Sequence, residues 1–76
     1  MNIKILGTGC PKCKILEENT RKAVETAGIN AQIEKITSLS DIMNYGVMLT
    51  PALVVDETVK SAGKVLSPDE IKKILI

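Results

Sequence analysis

Residues 11–27 read as one amphipathic helix between two short strand-like runs, and that order fixes most of what the chain can become. Strands joined by a helix of this length have no tight hairpin between them, so they lie parallel, with the helix crossing one face of the sheet. The first run, Asn2 to Leu6, sets Ile3 and Ile5 on one face against Asn2 and Lys4 on the other. The second is Ala31 to Ile36. Within the helix, Leu16, Thr20, Ala23, Val24 and Ala27 keep a helical period, and Ile15 widens the apolar stripe. Glu17 with Arg21 and Glu18 with Lys22 make i,i+4 pairs expected on the solvent side. Pro11 suits the first helical position, where its missing N–H is no loss, and Gly28 suits the stop.

Beyond the second strand, Ser38 or Ser40 caps a short helix running through about Tyr45 and ended by Gly46. Thr50-Pro51 then opens Ala52–Val55, an unbroken apolar run of the kind found in strands buried on both faces. Asp56-Glu57 is a turn candidate leading to Thr58–Ala62, an antiparallel edge strand, although the glycine common in tight hairpins is missing. The last helix carries a capping box, with Ser67 as N-cap, Pro68 at N1 and Glu70 at N3. Leu66 and Ile71 form a hydrophobic staple around it, and Ile74 and Leu75 extend the buried stripe. The expected architecture is an α/β chain in the order βαβ–α–ββα, with a four-stranded mixed sheet and three helices in one domain, residues 1–76. Trp and Phe are absent and Tyr45 is the only aromatic residue, so the core must be built from Ile, Leu and Val.

Both cysteines of the chain sit in Cys10-Pro11-Lys12-Cys13, at the handover from first strand to first helix. The thiolate is the reactive form, and the first turn of a helix stabilises it through unpaired N–H groups and the positive end of the helix dipole. Two cysteines at this spacing also close a small disulfide ring and can cycle between dithiol and disulfide. A net charge of +1 without a Lys/Arg cluster argues against nucleic acid or an anionic membrane as partner. No stretch approaches a membrane span and nothing marks the chain for export, which makes the cytoplasm the expected compartment. There, a C-x-x-C pair reads as catalytic or metal-binding rather than as a structural disulfide.

With these two motifs in place, C-x-x-C after the first strand and Thr50-Pro51 opening the third, the chain resembles the thioredoxin-fold family. In particular it resembles the small single-domain thioredoxins or glutaredoxin-like proteins known as redox-active disulfide proteins of archaea and anaerobic bacteria. The resemblance implies a dithiol–disulfide oxidoreductase that reduces client proteins and is itself re-reduced by a thioredoxin-reductase-type flavoprotein. It implies that Cys10 is the attacking thiol and Cys13 the resolving thiol, with Pro11 and Lys12 supporting them. It also implies a cis Thr50–Pro51 bond that leaves the Thr50 backbone to pair with an extended substrate. No organic or metal cofactor is implied, and the carrier is expected to be a monomer. Larger thioredoxins keep a buried aspartate in the first of these strands, where Lys4 stands here. Lys4 is expected to point to solvent, which leaves no carboxylate evident to accept the resolving thiol's proton.

Two other readings fit the same cysteines. Pro11 directly after Cys10 is glutaredoxin-like and suggests a low-molecular-weight thiol as electron source, but the Gly-Gly turn of glutathione users is missing near Gly63. A soft-metal module holding Cu(I) or a shared Zn(II) is the third, though the chain offers no His and no third Cys for a closed site. The redox reading predicts a protein that purifies metal-free and whose melting temperature is unchanged by micromolar Zn(II). Metal that binds only the folded state stabilises it in proportion to ln(1 + [L]/Kd), so a tight site shows in the melting curve. Stoichiometric metal that is lost on mutating Cys10 or Cys13 would instead identify a metal module.

Overall fold

The computed structural model describes residues 1–9 and 11–75. Its elements follow the expected order: β1 (Asn2–Leu6), α1 (Pro11–Ala27), β2 (Gln32–Ile36), α2 (Leu39–Asn44), β3 (Ala52–Val55), β4 (Thr58–Ala62) and α3 (Pro68–Leu75). The four strands form one mixed sheet in the order β2-β1-β3-β4. β1 pairs parallel with β2 and antiparallel with β3, while β3 and β4 form an antiparallel hairpin. The central pair therefore joins the start of the chain to the apolar run 52–55, and both faces of that pair are covered.

Alternation along the strands divides the apolar residues between two layers. Ile3 and Ile5 of β1 and Leu53 and Val55 of β3 face Leu16 and Ala23 of α1 and Ile71 and Leu75 of α3. On the opposite face Leu6, Ala52 and Val54 pack with Ile42 of α2 and with Val47. The buried stripe of α1 runs through Cys13, Leu16, Thr20 and Ala23, and the Thr20 hydroxyl is satisfied by donating to the Leu16 carbonyl at 2.7 Å. Ile15 departs from expectation: it is 47% exposed. One helical step is about 100°, so Ile15 lies to the side of the Cys13–Leu16–Thr20 line and off the sheet-facing surface.

Lys4 also departs from expectation. Its side chain is only 18% exposed, held between Tyr45 just after α2 and Glu57 of the β3–β4 turn. The ammonium donates to Glu57 Oε1 and to Tyr45 Oη, both at 2.6 Å, and the Tyr45 hydroxyl donates to Glu57 Oε2 at 3.2 Å. The hydrogen bonds that Lys4 donates to Glu57 and Tyr45 hold its pKa above the ordinary value. Tyr45 itself closes the edge of the α2-side core.

The glycine-free hairpin forms because side chains hold it. Asp56 and Glu57 both take positive φ, 48° and 67°, as a tight two-residue turn requires. Asp56 is clamped to β1 by its N–H donating to the Asn2 carbonyl and by the Asn2 N–H donating to its carboxylate, each at 2.8 Å. Glu57 is held by Lys4 and Tyr45. At the other end of the chain the capping box forms in both directions. The Glu70 N–H donates to Ser67 Oγ at 3.2 Å, and the Ser67 N–H donates to Glu70 Oε1 at 3.1 Å. The short α2 has Ser38 at its N-cap without a side-chain cap bond.

No helix among the described residues is long and apolar enough to cross a membrane. Because α3 supplies two of the buried residues that cover the sheet, its cap matters to the whole fold. Ser67→Ala should cost about 1 kcal/mol, read as a fall of several degrees in the melting temperature by circular dichroism. Ser67→Asp should retain most of the stability.

Candidate functional site

β1 ends between its two neighbours, and this fixes where the cysteine turn begins. Leu6 is in register with Ile36 on one side and Ala52 on the other, and the Gly7 N–H still donates to the Ile36 carbonyl at 3.0 Å. The chain leaves the sheet through Gly7-Thr8-Gly9, with Gly9 at a φ of 93°, and α1 starts at Pro11. Cys13, in the first turn of α1, is 6% exposed. Its sulfur packs directly on Gly7, where an added Cβ would overlap the Sγ atom. Gly7 thus belongs to the site for a reason that the sequence pattern does not reveal: it is the floor under the second thiol. Cys10, the expected attacking thiol, lies outside the described residues.

Pro11 and Lys12 are exposed at the start of α1. Among the described residues the first turn of this helix contains no acidic side chain to offset its positive end. Across the sheet, the Leu6–Ala52 pairing sets Thr50 and Pro51 beside the Gly7–Gly9 turn. The Thr50–Pro51 peptide is cis, Pro51 is buried and Thr50 is exposed. Thr8 and Thr50 line one largely apolar groove of about 390 Å³ together with Leu39, Met43 and Met48. The structure therefore brings the start of α1 and the Thr50–Pro51 segment to one end of the two interior strands.

A second, smaller cleft of about 70 Å³ opens beside Cys13 and is lined by Ile5, Gly7, Lys14, Glu17 and Lys35 among others. Here one expectation is corrected. Glu17 does pair with Arg21, at 3.1 Å, but it is not on the solvent side: its side chain is only 14% exposed. Its other oxygen meets Lys35 Nζ of β2 at 3.2 Å. Burial pushes the Glu17 pKa up, but hydrogen bonds from Arg21 and Lys35 outweigh it and the net displacement is downward. The signal was present in the sequence, since Glu17 stands four residues after Cys13 and so shares its helix face.

Comparison with known proteins bears on the same arrangement. The family model described as thioredoxin domain matches residues 1–76. A thioredoxin of Methanothermobacter thermautotrophicus is 48% identical over 75 residues, covering 99% of this chain and 97% of that protein. A thioredoxin of Methanocaldococcus jannaschii is 45% identical over 73 residues, covering 96% of this chain and 84% of that protein. The chain belongs to the thioredoxin domain family and is a thioredoxin-like disulfide oxidoreductase.

Proposed function

We propose that residues 1–76 work as one thioredoxin-like domain, a monomeric cytoplasmic carrier that reduces disulfides in client proteins through Cys10 and Cys13. The observation that carries this reading is the setting of Cys13: buried in the first turn of α1, packed on Gly7, at the end of the sheet shared with Thr50 and Pro51. A thiol so enclosed is poorly placed to meet a bulky client, yet it lies within the same C-x-x-C segment as Cys10. That is the asymmetry a two-step exchange requires.

In the first step the Cys10 thiolate attacks one sulfur of a client disulfide. A Cys10–client disulfide forms, and the client's other sulfur leaves as a thiolate that takes up a proton. In the second step Cys13 loses its proton and attacks the Cys10 sulfur, expelling the client's remaining sulfur and closing the Cys10–Cys13 disulfide. The client gains two electrons and the pair loses two, which a thioredoxin-reductase-type flavoprotein restores. Both sulfurs belong to the chain, so the exchange itself calls for no metal or organic cofactor. Lys12 adds an exposed positive charge beside the helix start that favours the Cys10 thiolate. The exposed Thr50, next to buried Pro51, offers its backbone to an extended client strand.

Cys10→Ser should abolish reduction of insulin disulfides, whereas Cys13→Ser should accumulate mixed disulfides with clients, read by non-reducing electrophoresis and mass measurement. Equal alkylation rates for the two thiols in the reduced protein would reverse or remove these roles. Rapid turnover of a glutathione mixed disulfide, with no response to a flavoprotein reductase, would make the carrier glutaredoxin-like. A further expectation concerns the floor of the site. Gly7→Ala should displace the Cys13 sulfur and slow the second step several-fold, leaving a longer-lived mixed disulfide in stopped-flow quench experiments, while Thr8→Ala leaves it near the parent rate.

A further inference from the structure

We propose that Met43 and Met48 are paired oxidation sites: a hydroperoxide converts their thioethers to sulfoxides, and the oxidised groove then captures client chains poorly. The inference rests on the reading of the protein as a carrier whose clients lie along Thr50. Leu39, Met43, Met48 and Leu49 are the four most exposed large apolar side chains among the described residues, with Met48 at 95% and Met43 at 65%. They belong to α2 and to the loop between α2 and β3. Leu39, Met43 and Met48 line the groove of about 390 Å³ that also takes in Thr8 and Thr50. Beneath them Ile42 and Val47 are buried in the α2-side core, so the side chains that hold this part of the fold are not the ones exposed to oxidant. Met1, the third methionine of the chain, lies elsewhere. It precedes β1, where its carbonyl accepts from the Gln32 N–H, at the opposite end of that strand from Leu6 and the groove.

The chemistry needs only a hydroperoxide as co-reactant. The thioether sulfur attacks one peroxide oxygen, the O–O bond breaks and an S–O bond forms. The sulfur is oxidised by two electrons, and the second oxygen leaves with the proton as an alcohol, or as water from hydrogen peroxide. A flexible apolar side chain thereby becomes a polar one with a strong acceptor oxygen. At a fully exposed position water solvates that oxygen, so the free protein loses little stability. An apolar client side chain laid over the groove would strip the water and offer no donor in return, which is costly. Peroxide also turns two thiols into a disulfide, but the carrier's own cycle reverses that reaction. A sulfoxide is not a disulfide and persists until a methionine sulfoxide reductase removes it.

The test oxidises the protein with hydrogen peroxide while Cys10 and Cys13 are held as their disulfide, which spares the thiols. Peptide mass mapping then confirms one added oxygen at Met43 and at Met48. After reduction by dithiothreitol and removal of the reagent, the rate of insulin reduction is compared with that of a small aromatic disulfide that needs no groove. Insulin reduction should fall about fivefold or more, while the small disulfide and the melting temperature stay near the untreated values. Treatment with methionine sulfoxide reductases should restore the insulin rate. Each variant is read against its own untreated sample: Met43→Leu with Met48→Leu should be insensitive to peroxide, and Met1→Leu should remain as sensitive as the parent. Met43→Gln with Met48→Gln, which places polar groups in the groove without any oxidant, should slow insulin more than the small disulfide. Full sulfoxidation that leaves insulin reduction unchanged overturns the proposal. So does equal slowing of both substrates, or a double leucine variant as sensitive as the parent. Untreated protein that fails to reduce insulin would instead strike the carrier reading, and the proposal with it.

Discussion

Everything in this molecule hangs on β1 being an interior strand. It hydrogen-bonds to β2 on one edge and β3 on the other, and apolar layers cover both its faces. A strand fixed on four sides has no freedom at its end, so the turn that follows is launched from a defined point and in a defined direction. The helix that begins at Pro11 inherits that precision, and Cys13 is set against Gly7 because the strand end and the helix start are both held. The β1–β3 pairing does the same for the other motif, bringing Thr50 and Pro51 alongside the glycine turn from far along the chain.

A chain this short has little apolar area to bury, and with one aromatic residue its core is aliphatic. Polar groups are accordingly tied rather than left to water at the points where packing is thin. Asn19 Nδ2 donates to the Leu66 carbonyl at 2.9 Å, joining α1 to the segment that enters α3. Lys4, Tyr45 and Glu57 link β1, the end of α2 and the β3–β4 turn. Exposed members of such a network add little stability singly, but they fix register and compensate the left-handed backbone at Asp56 and Glu57.

Chemically, the two hollows near the end of β1 differ. Toward Thr50 lies an apolar groove with exposed Leu39, Met43 and Met48, a surface whose flexible methionines can adapt to varied side chains. Toward Lys35 lies a tighter cleft with charge of both signs. The groove lies on the α2 side of the sheet and the cleft lies between α1 and the β1–β2 pair, so the two open on different faces of the sheet.

Much of this was legible in the residues alone. The period of α1, the unbroken run 52–55, the capping box at Ser67 and the two chemical motifs are local patterns, and local patterns follow from backbone geometry and from which side chains shun water. They determined the element order, the mixed sheet and the place of the cysteine pair. What only the tertiary structure decided were matters of which face meets what. Lys4 was expected in solvent because strand alternation says nothing of remote partners, and Tyr45 and Glu57 supply them. Glu17 was expected on an open face because its partner on β2 is remote in sequence, and Lys35 draws it into the cleft. Gly7 follows the first strand with nothing in the residues alone to mark its partner, whereas its lack of a side chain makes room for the Cys13 sulfur. Each of these depends on a neighbour from another element, and a one-dimensional pattern does not encode the distance to it.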